Sequence, residues 1–182
     1  MLKINLLNKL PSHNQLFYRV GDIATDVPNT TKHVILLSVH CQGSWYKGAA
    51  FRIRHKYPLI YKHQERLAMT RGKGLLGTYM EFSEGNRYVA CIYASYKQGP
   101  HKDARSLILQ NTHKALADYL WIRRYQKEII IHSPRINWGM FAIPWSTTSK
   151  MIKGLLPYYP NVKWVVWAPP RKSSNTVQDL DD

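Results

Sequence analysis

The chain has 182 residues, 45% hydrophobic and 20% charged, with six Trp and twelve Tyr. That suits one domain with a buried core and rules out disorder throughout. Lys and Arg number 26 against 11 Asp and Glu, a formal charge of +15, which favours phosphates, nucleic acids or acidic surfaces as partners. No apolar run reaches the length of a membrane span, and Met1–Leu10 lacks the apolar stretch and cleavage site of a signal peptide.

Residues 1–16 read as a lead segment, 17–168 as the domain and 169–182 as a flexible tail, which opens on Pro169-Pro170 and ends with Asp179, Asp181 and Asp182. Lys3, Lys9 and Arg19 precede the first acid, Asp22, as in a transit peptide, but a single Ser and little Arg argue against one. An intracellular location is expected, cytoplasmic or nuclear, with organelle import the lesser alternative. Cys41 and Cys91 are too few for a disulfide framework or a zinc site and read as buried free thiols of a reducing compartment.

Phe17–Val20 is a short strand ending at Gly21-Asp22, and Val34–Val39 is an apolar run of buried-strand length. A polar loop from His40 to Lys47 leads into a helix from Gly48, and Pro58 opens a second helix that carries Leu59, Ile60 and Leu67 and ends near Gly72. Leu75–Phe82 and Tyr88–Ala94 flank Ser83-Glu84-Gly85-Asn86, a hairpin signal. After the loop Ser95–Lys102, Asp103 is placed to cap a long helix, Ala104–Arg124, with Leu107, Ile108, Leu116, Leu120 and Trp121 on its apolar face. Glu128–His132 is a strand, Ser133–Ala142 a loop, Ser146–Leu156 a helix, and Val162–Trp167 a closing strand. Strands alternating with helices, plus one hairpin, predict an α/β fold: a three-layer α/β/α sandwich around a mixed sheet. Ligands of such sheets sit beyond the carboxyl ends of the strands, which singles out the loops Gly21–Ile23, His40–Gly48 and Asn137–Ala142.

Four patches resemble the macro-domain family, most of all its yeast-type branch of ADP-ribose 1''-phosphate phosphatases. They are Gly21-Asp22-Ile23; Ser38 to Ala50, reading SVHCQGSWYKGAA; Leu75-Leu76-Gly77-Thr78; and Pro134 to Trp145, reading PRINWGMFAIPW. Order and spacing match over roughly residues 17–167. The resemblance implies a cleft for ADP-ribose or ADP-ribose 1''-phosphate, with Asp22 accepting the adenine amino group. Asp22 is equally the kind of residue that caps a turn. A Gly-rich loop entering a helix lets backbone N–H groups approach a pyrophosphate. The resemblance places Trp45, Tyr46, Lys47, Gly48, Ala49 and Ala50 there, with Ser38, Val39, His40 and Gln42 before them. It sets Ile136, Asn137, Trp138, Gly139, Met140, Phe141 and Ala142 on the opposite side of the diphosphate and distal ribose.

Departures from the family pattern fall at the distal ribose. Tyr46-Lys47 stands in a run of glycines, His40 and Gln42 replace asparagines, and Trp138 replaces a small residue. Two histidines are candidates for proton transfer. His40, at a strand end, either exchanges protons at the cleft or satisfies loop backbone; His101 is more simply a solvated side chain. Binding is therefore expected ahead of catalysis, which would remove the 1''-phosphate or cleave an ADP-ribosyl ester. No metal-ligand spacing and no cofactor motif is evident. The alternative is a degenerate cleft with a basic face for RNA or DNA: Lys47, Arg52, Arg54, Lys56, Lys62, Arg66, Arg71 and Lys73 are opposed only by Glu65.

Overall fold

A computed structural model describes residues 15–170. The lead segment through residue 14 and the tail from residue 171, with its three aspartates, lie outside them.

Six strands form one mixed sheet. They are β1 (Leu16–Val20), β2 (His33–His40), β3 (Tyr79–Glu84), β4 (Arg87–Ser95), β5 (Ile129–Ser133) and β6 (Val162–Ala168), in spatial order β1-β6-β5-β2-β4-β3. Every neighbouring pair is parallel except the β3–β4 hairpin. Four helices cover the faces: α1 (Gly48–Lys56), α2 (Pro58–Arg71), α3 (Arg105–Arg123) and α4 (Trp145–Leu155).

Side-chain alternation along β2 divides the interior in two. Ile35, Leu37 and Val39 join Ile53, Ile60, Tyr61 and Ala68 beneath α1 and α2, while Val34 and Leu36 join Leu116, Leu120, Trp164 and Ile152 beneath α3 and α4. Because both faces are covered, β2 and β4 are buried almost without interruption. This is the expected three-layer sandwich. Cys41 and Cys91 are buried thiols, and burial pushes the Cys41 thiol up to about 12.

The helices follow from spacing and end chemistry. Ile60, Gln64 and Ala68 recur every four residues on the buried side of α2. Pro58 opens it, and the Glu84 carboxylate at the hairpin accepts from the N–H groups of Leu59 (3.0 Å) and Ile60 (3.4 Å).

Three expectations are corrected. The hairpin strand begins at Tyr79, not Leu75, because Gly72–Leu75 is a 3-10 turn and Gly77 takes φ +69. Asp103 does not cap α3. Its carboxylate accepts from the Tyr96 N–H (2.7 Å) instead, and the capping position is Ala104 with no side-chain bond. Leu107 and Trp121 lie on the solvent side of α3, whose buried stripe runs through Ile108, Thr112, Ala115, Tyr119 and Leu120.

Candidate functional site

Five strands run parallel, so the connections leaving β1, β2, β4 and β5 gather at one edge of the sheet. Hydrogen bonds tie them together. The Cys41 N–H donates to the Ser95 carbonyl (3.0 Å), the Asn137 N–H to Ser38 Oγ (2.9 Å), and Gln98 Nε2 to Ser44 Oγ (3.4 Å). A register shift between Val39 and His40, which pairs with Ser95, makes the end of β2 irregular at this point.

After β1 the chain must turn beside Trp167. A Cβ on Gly21 would lie 2.8 Å from that indole and 2.6 Å from the Asp26 carboxylate, so only glycine fits. Asp22 then uses both oxygens. Oδ1 accepts from the Ala24 N–H (3.0 Å), and Oδ2 pairs with Arg52 of α1 (3.2 Å). Ile23 is buried in the core, so only its backbone can face a ligand. A groove of about 340 Å³ lies beside Asp22, lined among others by Thr25, Phe51, Arg52, His55 and Lys56.

In the loop after β2, His40 is not a group facing the cleft. It is 1% exposed, its Nδ1 accepts from the Gln42 N–H (3.2 Å), and its Nε2 lies 3.0 Å from the Ser44 carbonyl. With Nδ1 an acceptor, the proton sits on Nε2 and donates to Ser44. Burial lowers its pKa, opposed by the Ser44 bond, so the ring stays neutral and fastens the loop. Val39 and Trp45 also point into the core, and the Trp45 indole packs on Tyr61. Gln42, Tyr46, Lys47 and Gly48 are exposed, and Ala49 and Ala50 form the first turn of α1. Gly48 takes φ +63 with nothing within 4 Å of its Cβ position. Lys47 gives no capping bond and the first turn holds no acid, so the leading N–H groups of α1 meet no side-chain anion of their own.

The loop after β5 is shaped by two non-glycine residues in the left-handed region, Asn137 (φ 66) and Ala142 (φ 51). Asn137 is buried. Its Nδ2 donates to Thr112 Oγ1 of α3 (2.8 Å), and its Oδ1 has no partner. Ile136 and Phe141 are core residues, while Trp138, Gly139 and Ala142 are exposed and Met140 half-buried. Asn137→Ala removes a buried bond and leaves an alanine at positive φ, about 1 kcal/mol each; Asn137→Gly removes only the bond. Urea unfolding is expected to find the Ala variant less stable than the Gly variant by about 1 kcal/mol. Equal stability would mean the turn is not strained.

The structure thus brings together Gly21, Asp22, Gly48 and the loops around Gln42–Lys47 and Trp138–Ala142. It withdraws the side chains of Ile23, Val39, His40, Trp45, Ile136 and Phe141. Arg52 and Gln98 belong to the site and carried no motif, and Ser44 belongs to it from within the second patch, where no role was assigned to it. His101 is exposed in the loop after β4, which Ser95 closes by donating to Lys97 and accepting from the Asp103 N–H (3.0 Å). Among the described residues, no three His, Cys, Asp or Glu side chains converge on a metal position, and no helix is long and apolar enough to cross a membrane.

No family model matches the chain. Curated relatives do. An ADP-ribose 1''-phosphate phosphatase of Meyerozyma guilliermondii is 29% identical over 77% of this chain and 93% of its own length, and one of Debaryomyces hansenii 28% identical over 74% and 90%. Among solved structures, the macrodomain of Mycobacterium tuberculosis DarG matches 86% of this chain and 99% of its own, with TM-score 0.66 at 17% identity. The chain has the macro-domain fold. A second neighbour, Thermosipho africanus DarTG in complex with ADP-ribose, matches 92% of this chain and 44% of its own, with TM-score 0.65 at 13% identity.

Proposed function

We propose that the loops at the carboxyl edge of the sheet bind ADP-ribose or a derivative such as ADP-ribose 1''-phosphate. The observation that carries this is the loop entering α1: Gly48 leaves its Cβ side open, and the uncapped first turn of the helix offers N–H groups to a diphosphate. Asp22 lies across the site on the first loop, where its carboxylate can accept from an amino group once Arg52 yields Oδ2. The fungal relatives named as phosphatases and the ADP-ribose bound to the Thermosipho protein support the same ligand class.

This reading assigns recognition to backbone and Asp22, and it assigns no proton transfer to His40, whose ring nitrogens serve the loop. Hydrolysis of the 1''-phosphate would then rest on a water held by the loops.

Calorimetric titration with ADP-ribose at two salt concentrations tests the proposal. Saturable binding that changes little with salt is expected, and Asp22→Ala should weaken it by about tenfold or more, or about 1.4 kcal/mol. Asp22→Asn keeps an acceptor for the Ala24 N–H and separates the turn's role from the ligand's. No heat at millimolar ADP-ribose from a folded wild type would end this reading.

A further inference from the structure

Helices α1 and α2 pack through Ile53, Ile60, Tyr61 and Ala68 onto one face of the sheet, so their outward sides form one surface. That surface is strongly cationic. Lys47, Arg52, Lys56, Lys62, Arg66, Arg71 and Lys73 are all exposed, and His55 and His63 lie among them. From residue 27 to residue 80 the only acid is Glu65, and Tyr61 Oη donates to its carboxylate at 2.5 Å; from outside that stretch, Asp22 pairs with Arg52 and Glu84 accepts from the first N–H groups of α2. Aromatic rings border the cations. Tyr46 is 63% and Phe51 43% exposed where the surface meets the cleft, and Arg54 stacks over Tyr46 and Tyr61. At the far end, Lys73 and Lys97 both approach the Tyr96 ring, at 5.0 Å and 5.9 Å.

We infer that this α1–α2 face binds the backbone of single-stranded nucleic acid. Spaced cations neutralise successive phosphates, and exposed rings at their margin give unpaired bases a surface to stack on. An acidic membrane would attract the same cations but needs a continuous apolar strip to insert. The exposed apolar residues of α2, Leu59 and Met69, are ten positions apart, which sets them about 15 Å apart along the helix and on different sides of it.

The test is fluorescence anisotropy of the whole chain with a labelled oligo(U) of roughly 20 nucleotides. Binding at about 50 mM salt should weaken at least about tenfold by about 200 mM. K62E/R66E, at exposed positions of α2, should weaken binding about tenfold and flatten the salt slope, with ADP-ribose titration unchanged. K150E/K153E makes the same charge change on α4 in the opposite layer and should stay near wild type. The inference is overturned if wild type does not bind at low salt. It is equally overturned if both double variants weaken binding alike, or if the protein sediments with phosphatidylserine vesicles while ignoring the oligonucleotide.

Discussion

Arg87→Ala is expected to destabilise the protein by on the order of 3 kcal/mol, through three lost charge-assisted hydrogen bonds and a cavity, less the desolvation it relieves. Arg87 opens β4 and is 0% exposed. Its Nη2 donates to the carbonyls of Val27 (2.7 Å) and Pro28 (3.1 Å), its Nε donates to Tyr57 Oη (3.3 Å), and its guanidinium lies over the Tyr57 ring. No carboxylate pairs with it among the described residues, and Nη1 lacks a partner. The side chain therefore fastens the segment that follows Asp22 to the sheet and to the end of α1. Urea denaturation measures the loss. Arg87→Lys keeps the charge but not the fork and should fall between wild type and Ala. A change within about 1 kcal/mol for Ala would mean the two carbonyls find water instead. The Ala variant should also bind ADP-ribose more weakly, because the Asp22 loop loses its anchor.

Nothing in the sequence marks Arg87 for this role. It reads as one more surface cation before a strand, and only the crossing of β4 with the Val27–Pro28 segment buries it. The fold itself was far more legible. Val34–Val39 declares a buried strand by composition, Pro58 and the recurrence of Ile60 and Ala68 declare α2, and Gly85-Asn86 declares the hairpin turn. Expectation failed where a local signal had two uses. Asp103 is an apt cap, yet the Tyr96 N–H lay within its reach and took the carboxylate. Trp121 is apolar by type but sits out of phase with Tyr119 and Leu120, and Arg124 stacks on its exposed ring instead.

The candidate site divides in the same way. Gly21 and Gly48 were legible because their positive-φ conformations favour glycine. Side-chain direction was not, because a motif lists residues without saying which face of a turn each occupies. His40 lies one residue past Val39 and so on the other face of β2, and the register shift there folds the loop over it. Arg52 was legible only as one of a run of basic residues, because a cation on an exposed helix side does not show its partner until Asp22 is found 3.2 Å away. That ion pair now sets a condition on recognition: an amino group approaching Asp22 Oδ2 competes with a guanidinium.

Acid should loosen the same loop from beneath. His132 is buried against Trp167, whose Nε1–H donates to His132 Nδ1 at 2.9 Å. The His132 proton is thus on Nε2, 2.8 Å from Nδ1 of His33, and the two imidazoles stack at 5.1 Å. Burial, then His33, Arg87 and Arg19, lower its pKa from 6.5 to about 3. Between those values the unfolded chain takes up a proton that the native ring refuses. Its stabilising contribution is complete above about pH 6.5 and lost as pH falls toward 3, about 3 kcal/mol of it by pH 4. The lowered pKa of His33 acts in the same direction. Urea unfolding of wild type from pH 7 to pH 4.5 should show stability falling by up to about 1.4 kcal/mol per unit for each refused proton. His132→Phe costs stability at pH 7, because the Trp167 N–H loses its acceptor, but its slope should be shallower by close to one proton. A slope equal to wild type would place the acid sensitivity elsewhere. The consequence reaches the cleft through Trp167, since its ring fills the space beside Gly21. A charged His132 can no longer accept from that indole, so ADP-ribose binding should weaken at acid pH before the domain unfolds.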